Sequence, residues 1–408
     1  MLYKFAKIIC KICIQVYYGK IEVQGLEDIP TDLPIIMACN HPTGFLEPII
    51  IACVMDRPLH FITRGDLFSN KLLGPILRAT NQIPIFRFKD GYAGLRRNNE
   101  SISAAKSALQ SGGALLIFVE GRTEDIKMLK PLQKGMARIS TALYDQAVSH
   151  AIVPVGINYI DTVTMGSRVM LNFGAPIDPK PIVSSVPDLR QALPKLNAVV
   201  FDKMVDLLLH VGDRSRHQVH DLLIDATQAT QPLSFLPIID RKHSAYSDLK
   251  KVSEVVDKSR AEDFTALQNI ANSLNIKKPI SHLLRQSRRG IGTYMSLLIF
   301  LPFAILGLVA NVPPMLGGYL IERALVRSRE FVAPIRFAAS MGLALVYYPL
   351  VTVILVRMYG PLGLLFLLGI PLIFAWLYWQ HQYRAVSKKY HLPKDSLERL
   401  STIFTHLK

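Results

Sequence analysis

Residues 40–48 read "NHPTGFLEP". An apolar run, "PIIMAC" (34–39), comes just before, and "EPIIIACVM" (47–55) follows from Glu47. The first run is short enough for a buried strand. The second has the texture of a buried helix, opening on a carboxylate and a proline that suit a first turn. His41 therefore sits at a strand-to-helix junction. In open α/β sheets, chemistry gathers at the carboxyl ends of strands. A lone histidine in a turn more commonly caps or packs, so His41 has to be read together with what lies downstream.

The pattern repeats outward from this junction. "KIEVQGLEDIP" (20–30) reads as strand and turn, "RPLHFIT" (57–63) as a strand, and "DLFSNKLLGPILRAT" (66–80) as a helix interrupted at Gly74-Pro75. "QIPIFR" (82–87) is a strand, "GLRRNNESISAAKSALQSGG" (94–113) a helix with a Gly-Gly stop, and "ALLIFVEGR" (114–122) a buried strand ending in charge. A helix over 131–146 and strands over 151–160 and 168–178 complete the series. Strands alternating with helices imply an α/β fold, a mixed sheet flanked by helices, over residues 20–184. Residues 185–289 read as a helical linker domain without strands. Its His210, His217 and His220 lie near acidic residues, and solvated helix faces account for them more simply than a metal.

Composition changes near residue 290. Hydrophobic residues make up 50% of the 408-residue chain, and three stretches, 292–311, 337–356 and 359–379, carry no charge. Each approaches the ~20 residues a helix needs to cross a bilayer. Membrane segments are therefore expected over 290–380, followed by a tail over 381–408. At the other end, residues 1–19 set Lys4, Lys7 and Lys11 among apolar residues. That pattern fits a helix lying in a bilayer interface or one packed on the core. The net charge of +16 suits an anionic partner. A nucleic acid is the weaker choice because no helix-turn-helix, RNA-recognition or zinc-finger pattern occurs; anionic lipid headgroups account for the charge better. Four cysteines, Cys10, Cys13, Cys39 and Cys53, are too few for a disulfide framework. The Cys10–Cys13 spacing lacks the second ligand pair of a zinc site, so no metal is expected. Alternation along its strand turns Cys39 into the core.

Four junctions at the ends of apolar runs come in a telling order: "NHPTGFLE", "NQIPIFR" ending at Arg87, "VEGRTE" with Glu120, Gly121 and Arg122, and "IVPVGI" with Pro154 inside the run. A proline there removes a ladder hydrogen bond and marks an edge or a break. This order resembles the glycerolipid acyltransferases, the family of glycerol-3-phosphate and 1-acyl-glycerol-3-phosphate acyltransferases. "LKPLQKG" and "FGAPID" resemble two further stretches of that family. The resemblance covers roughly residues 20–180. One departure concerns the first block: five residues separate His41 from Glu47, where most of the family has four before an aspartate. The longer spacing resembles a branch of glycerol-3-phosphate and dihydroxyacetone-phosphate acyltransferases with C-terminal membrane segments.

The resemblance implies transfer of an acyl group from a thioester, acyl-CoA or acyl-carrier protein, to the hydroxyl of a phosphorylated glycerol, with no other cofactor. His41 would be the general base and Glu47 its orienting acid, and backbone N–H groups of the Pro42–Gly44 turn would face the oxyanion. A Glu47 that only caps its helix is the alternative. Arg87 and Arg122, ending strands expected to be neighbours, would grip the acceptor phosphate with Lys134 nearby. Glu120 would fix Arg122 or bond a glycerol hydroxyl, and Pro154 would line the acyl pocket. Such an enzyme would be a multi-pass membrane protein with its catalytic blocks facing the cytoplasm. A second reading, from the altered spacing, is a membrane-tethered lipid-binding or scaffold protein without catalysis. Arginine-rich connectors on both sides of 292–311 suggest that this segment bends near Pro302 and returns to the side it entered from.

Overall fold

The computed structural model describes residues 2–86, 91–230, 235–273 and 290–386. The chain opens with α1 (Leu2–Tyr17), β1 (Lys20–Gln24), β2 (Ile35–Cys39), α2 (Leu46–Val54) and β3 (Leu59–Arg64). A 3-10 turn over Gly65–Ser69 leads into α3 (Leu73–Ala79), then β4 (Gln82–Ile85), α4 (Gly91–Gln110), β5 (Ala114–Phe118) and α5 (Gly135–Asp145). Next come β6 (Ala151–Tyr159), β7 (Arg168–Phe173), α6 (Lys180–Ser184) and α7 (Leu189–Asp206). The remainder is α8 (His217–Thr230), β8 (Ile239–Asp240), α9 (Tyr246–Lys258), α10 (Ala261–Ser273), α11 (Ile291–Leu325), α12 (Val332–Tyr359) and α13 (Gly369–Val386). The contacts divide the chain into two compact units.

The first unit comprises Met1–Ile12, Glu22–Asn158 and Met170–His210. Its strands lie in the order β4-β3-β5-β2-β6-β7-β1. β2 runs parallel to both β5 and β6, and β3 parallel to both β4 and β5. An antiparallel bridge between Ile152 and Ile177 makes the sheet mixed. Every residue of β2 and of β6 is buried, as in strands covered on both faces. One face packs α5 and α7 through Met136, Ile139, Leu143, Leu196, Val200 and Met204. The residues of α7 in that set recur every four positions and form one helical stripe, which explains why α7 joins this core.

Parallel pairing aligns the carboxyl ends of β3, β5 and β2. Phe61 pairs with Leu116, and Cys39 with Phe118. Three expectations need correction here. Pro154 marks neither an edge nor a break: β6 runs through it between β2 and β7, in register with Ala38. The strands β4 and β5 are not neighbours, because β3 lies between them. The helix expected over 66–80 is a 3-10 turn followed by the shorter α3, with Asn70 Oδ1 accepting from the Leu72 and Leu73 N–H groups.

The second unit comprises Cys13–Ile21, Tyr159–Val169 and Val211–Lys408. The strandless reading of residues 185–289 is corrected by β8, where Ile21 N–H donates to Ile238 O at 2.7 Å and Lys20 Nζ meets Asp240 Oδ2 at 3.0 Å. The histidines of this region do not line solvated helix faces. His220 is buried with Nε2 2.9 Å from Ser253 Oγ, and His217 Nε2 lies 2.9 Å from Val211 O. In the first unit, His210 Nδ1 accepts from Leu129 N–H at 2.9 Å.

Two stretches, Ile291–Leu325 and Arg329–Arg384, hold helix long and apolar enough to cross a membrane. At about 1.5 Å per residue, α11 exceeds the ~30 Å of a bilayer's hydrocarbon core. It is continuous through Pro302, Pro313 and Pro314, so the return expected near Pro302 does not occur. The third uncharged stretch is divided: a 3-10 segment over Gly360–Leu368 precedes α13. Large apolar side chains such as Leu298, Val309, Val346 and Leu365 stay exposed. Several polar side chains of this region are hydrogen-bonded or ion-paired. Asn311 Nδ2 donates to Gly307 O and Gly369 O, Tyr348 donates to Asn311 Oδ1, and Arg336 Nη2 meets Glu322 Oε2 at 2.8 Å.

Candidate active site

β2 delivers His41 to the carboxyl edge of the sheet. Asn40, directly before it, folds its side-chain amide onto Ile157: Asn40 Nδ2 donates to Ile157 O, and Asn40 Oδ1 accepts from Ile157 N–H, both at 2.9 Å. This pair of bonds extends the β2–β6 ladder beyond its last backbone bond and fixes where the chain turns. The turn then brings Glu47 back beneath the ring. His41 Nδ1 lies 3.3 Å from Glu47 Oε2, with angles outside those of a hydrogen bond. Glu47 Oε1 accepts from Thr43 N–H at 2.7 Å. The carboxylate is fully buried (0%), while the imidazole keeps 15% exposure. Glu47 stands in the first turn of α2, yet both its oxygens face the loop. It therefore does more than cap its own helix.

β5, next to β2, supplies the other wall. Phe118 stacks on the His41 ring with centroids 3.9 Å apart and planes at 12°. Beyond it, Glu120 Oε2 accepts from His41 N–H at 3.1 Å, and Glu124 N–H donates to His41 O at 3.2 Å. Both backbone groups of His41 are thus held by the loop after β5. That loop is pinned in turn by Lys130. Lys130 N–H donates to Glu120 Oε1 at 2.9 Å. Its Nζ, on a side chain 3% exposed, lies 3.7 Å from Glu120 Oε2 and 3.6 Å from Glu124 Oε2. A buried ammonium needs such partners, since an unpaired one costs several kcal/mol. Gly121 makes the turn, with φ at +69° and a position where a Cβ would meet Gln133 Cγ at 2.7 Å.

The structure therefore joins His41, Glu47 and Glu120 and assigns Glu120 a different partner from the one expected: it holds His41 and Lys130, not Arg122. Arg122 projects from the loop, its side chain 67% exposed with Nε 3.9 Å from Glu124 Oε2. Lys134 is exposed just before α5. Pro154 is buried in β6, with its carbonyl accepting from Gly174 N–H at 2.9 Å. Arg87 lies outside the described residues. Of the turn expected to face an oxyanion, Pro42 has no N–H and that of Thr43 is bonded to Glu47; Gly44 remains. Cys39 points into the core, and burial, with Glu47 and Glu120 close by, pushes its thiol well above the usual range. Sequence reading missed Asn40, Phe118 and Lys130. For Lys130 a signal existed, a cation inside the apolar run "MLKPL". Among the described residues no group of three His, Cys, Asp or Glu side chains is placed to hold a metal ion.

Residues 20–158 match the family model described as acyltransferase, and this span holds every element of the site just described. Over these residues the chain is similar to the glycerolipid acyltransferases. A curated relative, the 1-acyl-sn-glycerol-3-phosphate acyltransferase of Bacillus subtilis (strain 168), is 26% identical over 142 residues, which is 34% of this chain and 65% of that protein. The matched region of this chain spans just under two thirds of that relative's length. Among solved structures, the 1-acyl-sn-glycerophosphate acyltransferase of Thermotoga maritima overlaps with a TM-score of 0.33 at 17% identity, over 49% of this chain and 81% of that one.

Proposed function

We propose that this acyltransferase moves a fatty acyl group from a thioester donor, acyl-CoA or acyl-carrier protein, to a hydroxyl of a phosphorylated glycerol. The observation that carries this reading is the 3.3 Å approach of Glu47 Oε2 to His41 Nδ1. With Nδ1 turned to the carboxylate, Nε2 is the nitrogen left to act as base. The acceptor hydroxyl oxygen attacks the thioester carbonyl while His41 Nε2 takes its proton. The tetrahedral intermediate collapses, the carbon–sulfur bond breaks, and the departing thiolate receives the proton. Glu47 holds the tautomer and stabilises the imidazolium, as the acid of a Ser-His-Asp triad does. No enzyme nucleophile is needed, since the acceptor supplies its own. Gly44 N–H is the turn's candidate donor to the oxyanion.

Arg122 and Lys134 are exposed cations at the carboxyl edge of the sheet and are the proposed phosphate contacts, together with Arg87. For the acceptor, the curated relative's name supports 1-acyl-glycerol-3-phosphate, while the five-residue spacing and the C-terminal apolar helices resemble the enzymes of glycerol-3-phosphate and dihydroxyacetone phosphate. The scaffold reading rested on that spacing alone, and the close approach of the pair speaks against it. In this reading the apolar helices hold the protein in a membrane, with the site on the cytoplasmic side, where acyl thioesters are made. Full-length enzyme in vesicles, given each acceptor with each donor and followed by product analysis, tests the reading. Turnover that survives His41→Ala for every pair would overturn it.

A further inference from the structure

The carboxyl edge that carries His41 also carries an apolar tip. β3 ends at Arg64, level with the ends of β5 and β2 by the register Phe61–Leu116 and Cys39–Phe118. The chain then leaves the sheet into the 3-10 turn and α3. Strand order puts β3 two positions from β2, about 10 Å at the usual strand spacing. The inner side of α3 is locked down: Leu77 and Phe68 are buried, Gly74 N–H donates to Asn70 O at 2.9 Å, and a Cβ on Gly74 would meet Phe68 O at 2.6 Å. Asn70 Oδ1 caps the start of the helix. The outer side is apolar. Leu72 is 84% exposed, and Leu73, Pro75 and Ile76 are exposed beside it. The tip is thus packed and hydrogen-bonded on its inner side, yet it turns leucine and isoleucine outward.

Its flanks identify what meets it. Lys71 and Arg78 bracket the apolar residues and are both exposed. Arg78 is braced over the Phe68 ring at 5.5 Å. Apolar side chains flanked by a cation on each side match an anionic bilayer surface, where the side chains enter the acyl boundary and the cations stay at the headgroups.

We infer that the α3 tip docks into the surface of an anionic lipid bilayer and sets the carboxyl edge of the sheet, with His41, against the headgroup layer. This rests on the acyltransferase reading in one respect: an acceptor anchored by an acyl chain would present its hydroxyl at that depth.

The test uses the full chain in vesicles of phosphatidylcholine and phosphatidylglycerol, with Cys10→Ser and Cys13→Ser to remove the half-buried thiols. Leu72→Cys and Ile76→Cys carry an environment-sensitive fluorophore. Gln110→Cys, exposed at the amino end of β5, is the control. Docking predicts a blue shift and quenching by brominated lipid at 72 and 76 and neither at 110. It also predicts weaker quenching when Lys71→Gln and Arg78→Gln are added. An unquenched, water-like spectrum at 72 overturns the proposal, as does a blue shift without lipid quenching, which would mean a protein partner. Leu72→Ser with Ile76→Ser should raise KM several-fold for a long-chain acceptor in vesicles and leave a soluble short-chain acceptor unchanged; equal effects on both would also overturn it. The quenching needs no turnover. Quenching without acyl transfer would remove the functional reading and leave docking standing, and robust transfer without quenching would do the reverse.

Discussion

Glu47 Oε2 reaches to within 3.3 Å of His41 Nδ1 across five intervening residues. The turn folds so that Thr43 N–H donates to the other oxygen of the same carboxylate. One extra residue in the turn and the longer arm of glutamate offset each other, and the backbone bond to Thr43 keeps the carboxylate from swinging into α2.

His41→Ala should lower kcat by about 10²–10⁴-fold, the usual contribution of a positioned general base, while the protein stays folded. Glu47→Gln should lower it less, because the base remains and only its orientation and the imidazolium partner are weakened. Glu47→Asp cannot reach both Thr43 N–H and the ring, so it should resemble Glu47→Gln in kcat. A wild-type rate for both Glu47 variants would reduce Glu47 to a loop brace.

Lys130→Met removes the ammonium from between Glu120 and Glu124 and leaves buried carboxylate unbalanced. Breaking a buried pair costs about 3–5 kcal/mol, and here the strain falls on the loop that holds both backbone groups of His41. The expected result is a lowered melting temperature with a fall in kcat at little changed KM. Glu120→Gln with Lys130→Met, which leaves no unpaired charge at Glu120, should recover part of both. Unchanged kcat in Lys130→Met would separate Lys130 from the site.

The alternation of runs from "KIEVQ" to "RVMLNF" was enough to read the sheet and the strand-end position of His41, because hydrophobic period and turn chemistry are local. Strand order is not local. Nothing in "QIPIFR" and "ALLIFVEGR" says that β3 lies between them, and so the two strands expected to be neighbours are not. The partner of Glu120 escaped for the same reason: Arg122 is near in sequence, but the left-handed turn at Gly121 leaves Arg122 exposed, and Lys130 comes back from ten residues on. Pro154 misled because the rule about strand edges is local, whereas β6 is held on both sides, by β2 and β7.

Arg122→Ala tests the phosphate assignment. Its side chain is mostly exposed, so truncation should leave stability near wild type. Loss of a charge-assisted contact of about 1.5–3 kcal/mol would raise the KM of the phosphorylated acceptor by roughly ten- to a hundred-fold. The donor KM should hardly move. Equal rises in both would place Arg122 on the donor's phosphates.

His150 gives the fold a pH dependence. Burial pushes its pKa below the ordinary histidine value, against the opposing pull of Val148 O and Asp178. Its ring bridges Ser140 Oγ at 2.8 Å and Val148 O at 2.9 Å, an arrangement suited to the neutral form. Since the folded value is depressed, the stability is complete above about pH 6.5, the unfolded value, and is lost as pH falls through the folded one. Thermal unfolding in detergent should weaken from pH 7.5 to pH 5.5, and less so in His150→Gln. Identical slopes would exclude His150 as a contributor.

Membrane topology can be read from an ion pair. The connector between α11 and α12 holds Arg329, whose Nη2 lies 3.4 Å from Asp161 Oδ1 in the loop after β6. Arg336, one turn into α12, adds a 3.4 Å bond to Val163 O. The connector must therefore share a compartment with residues 160–167. With Arg323, Arg327, Arg329 and Arg336 close together, the positive-inside rule predicts that this shared side is the cytoplasmic one. Since α11 is continuous, a full crossing would put Gly292 on the opposite side from Ser328. Cysteines placed singly at Ser328, Thr164 and Gly292, in the Cys10→Ser, Cys13→Ser background, distinguish the arrangements with a membrane-impermeant thiol reagent. Ser328 and Thr164 should react from one side and Gly292 from the other. Reaction of Ser328 and Thr164 from opposite sides would mean that the Arg329–Asp161 pair does not form in the membrane. Reaction of all three from one side would mean that α11 lies along the bilayer without crossing it.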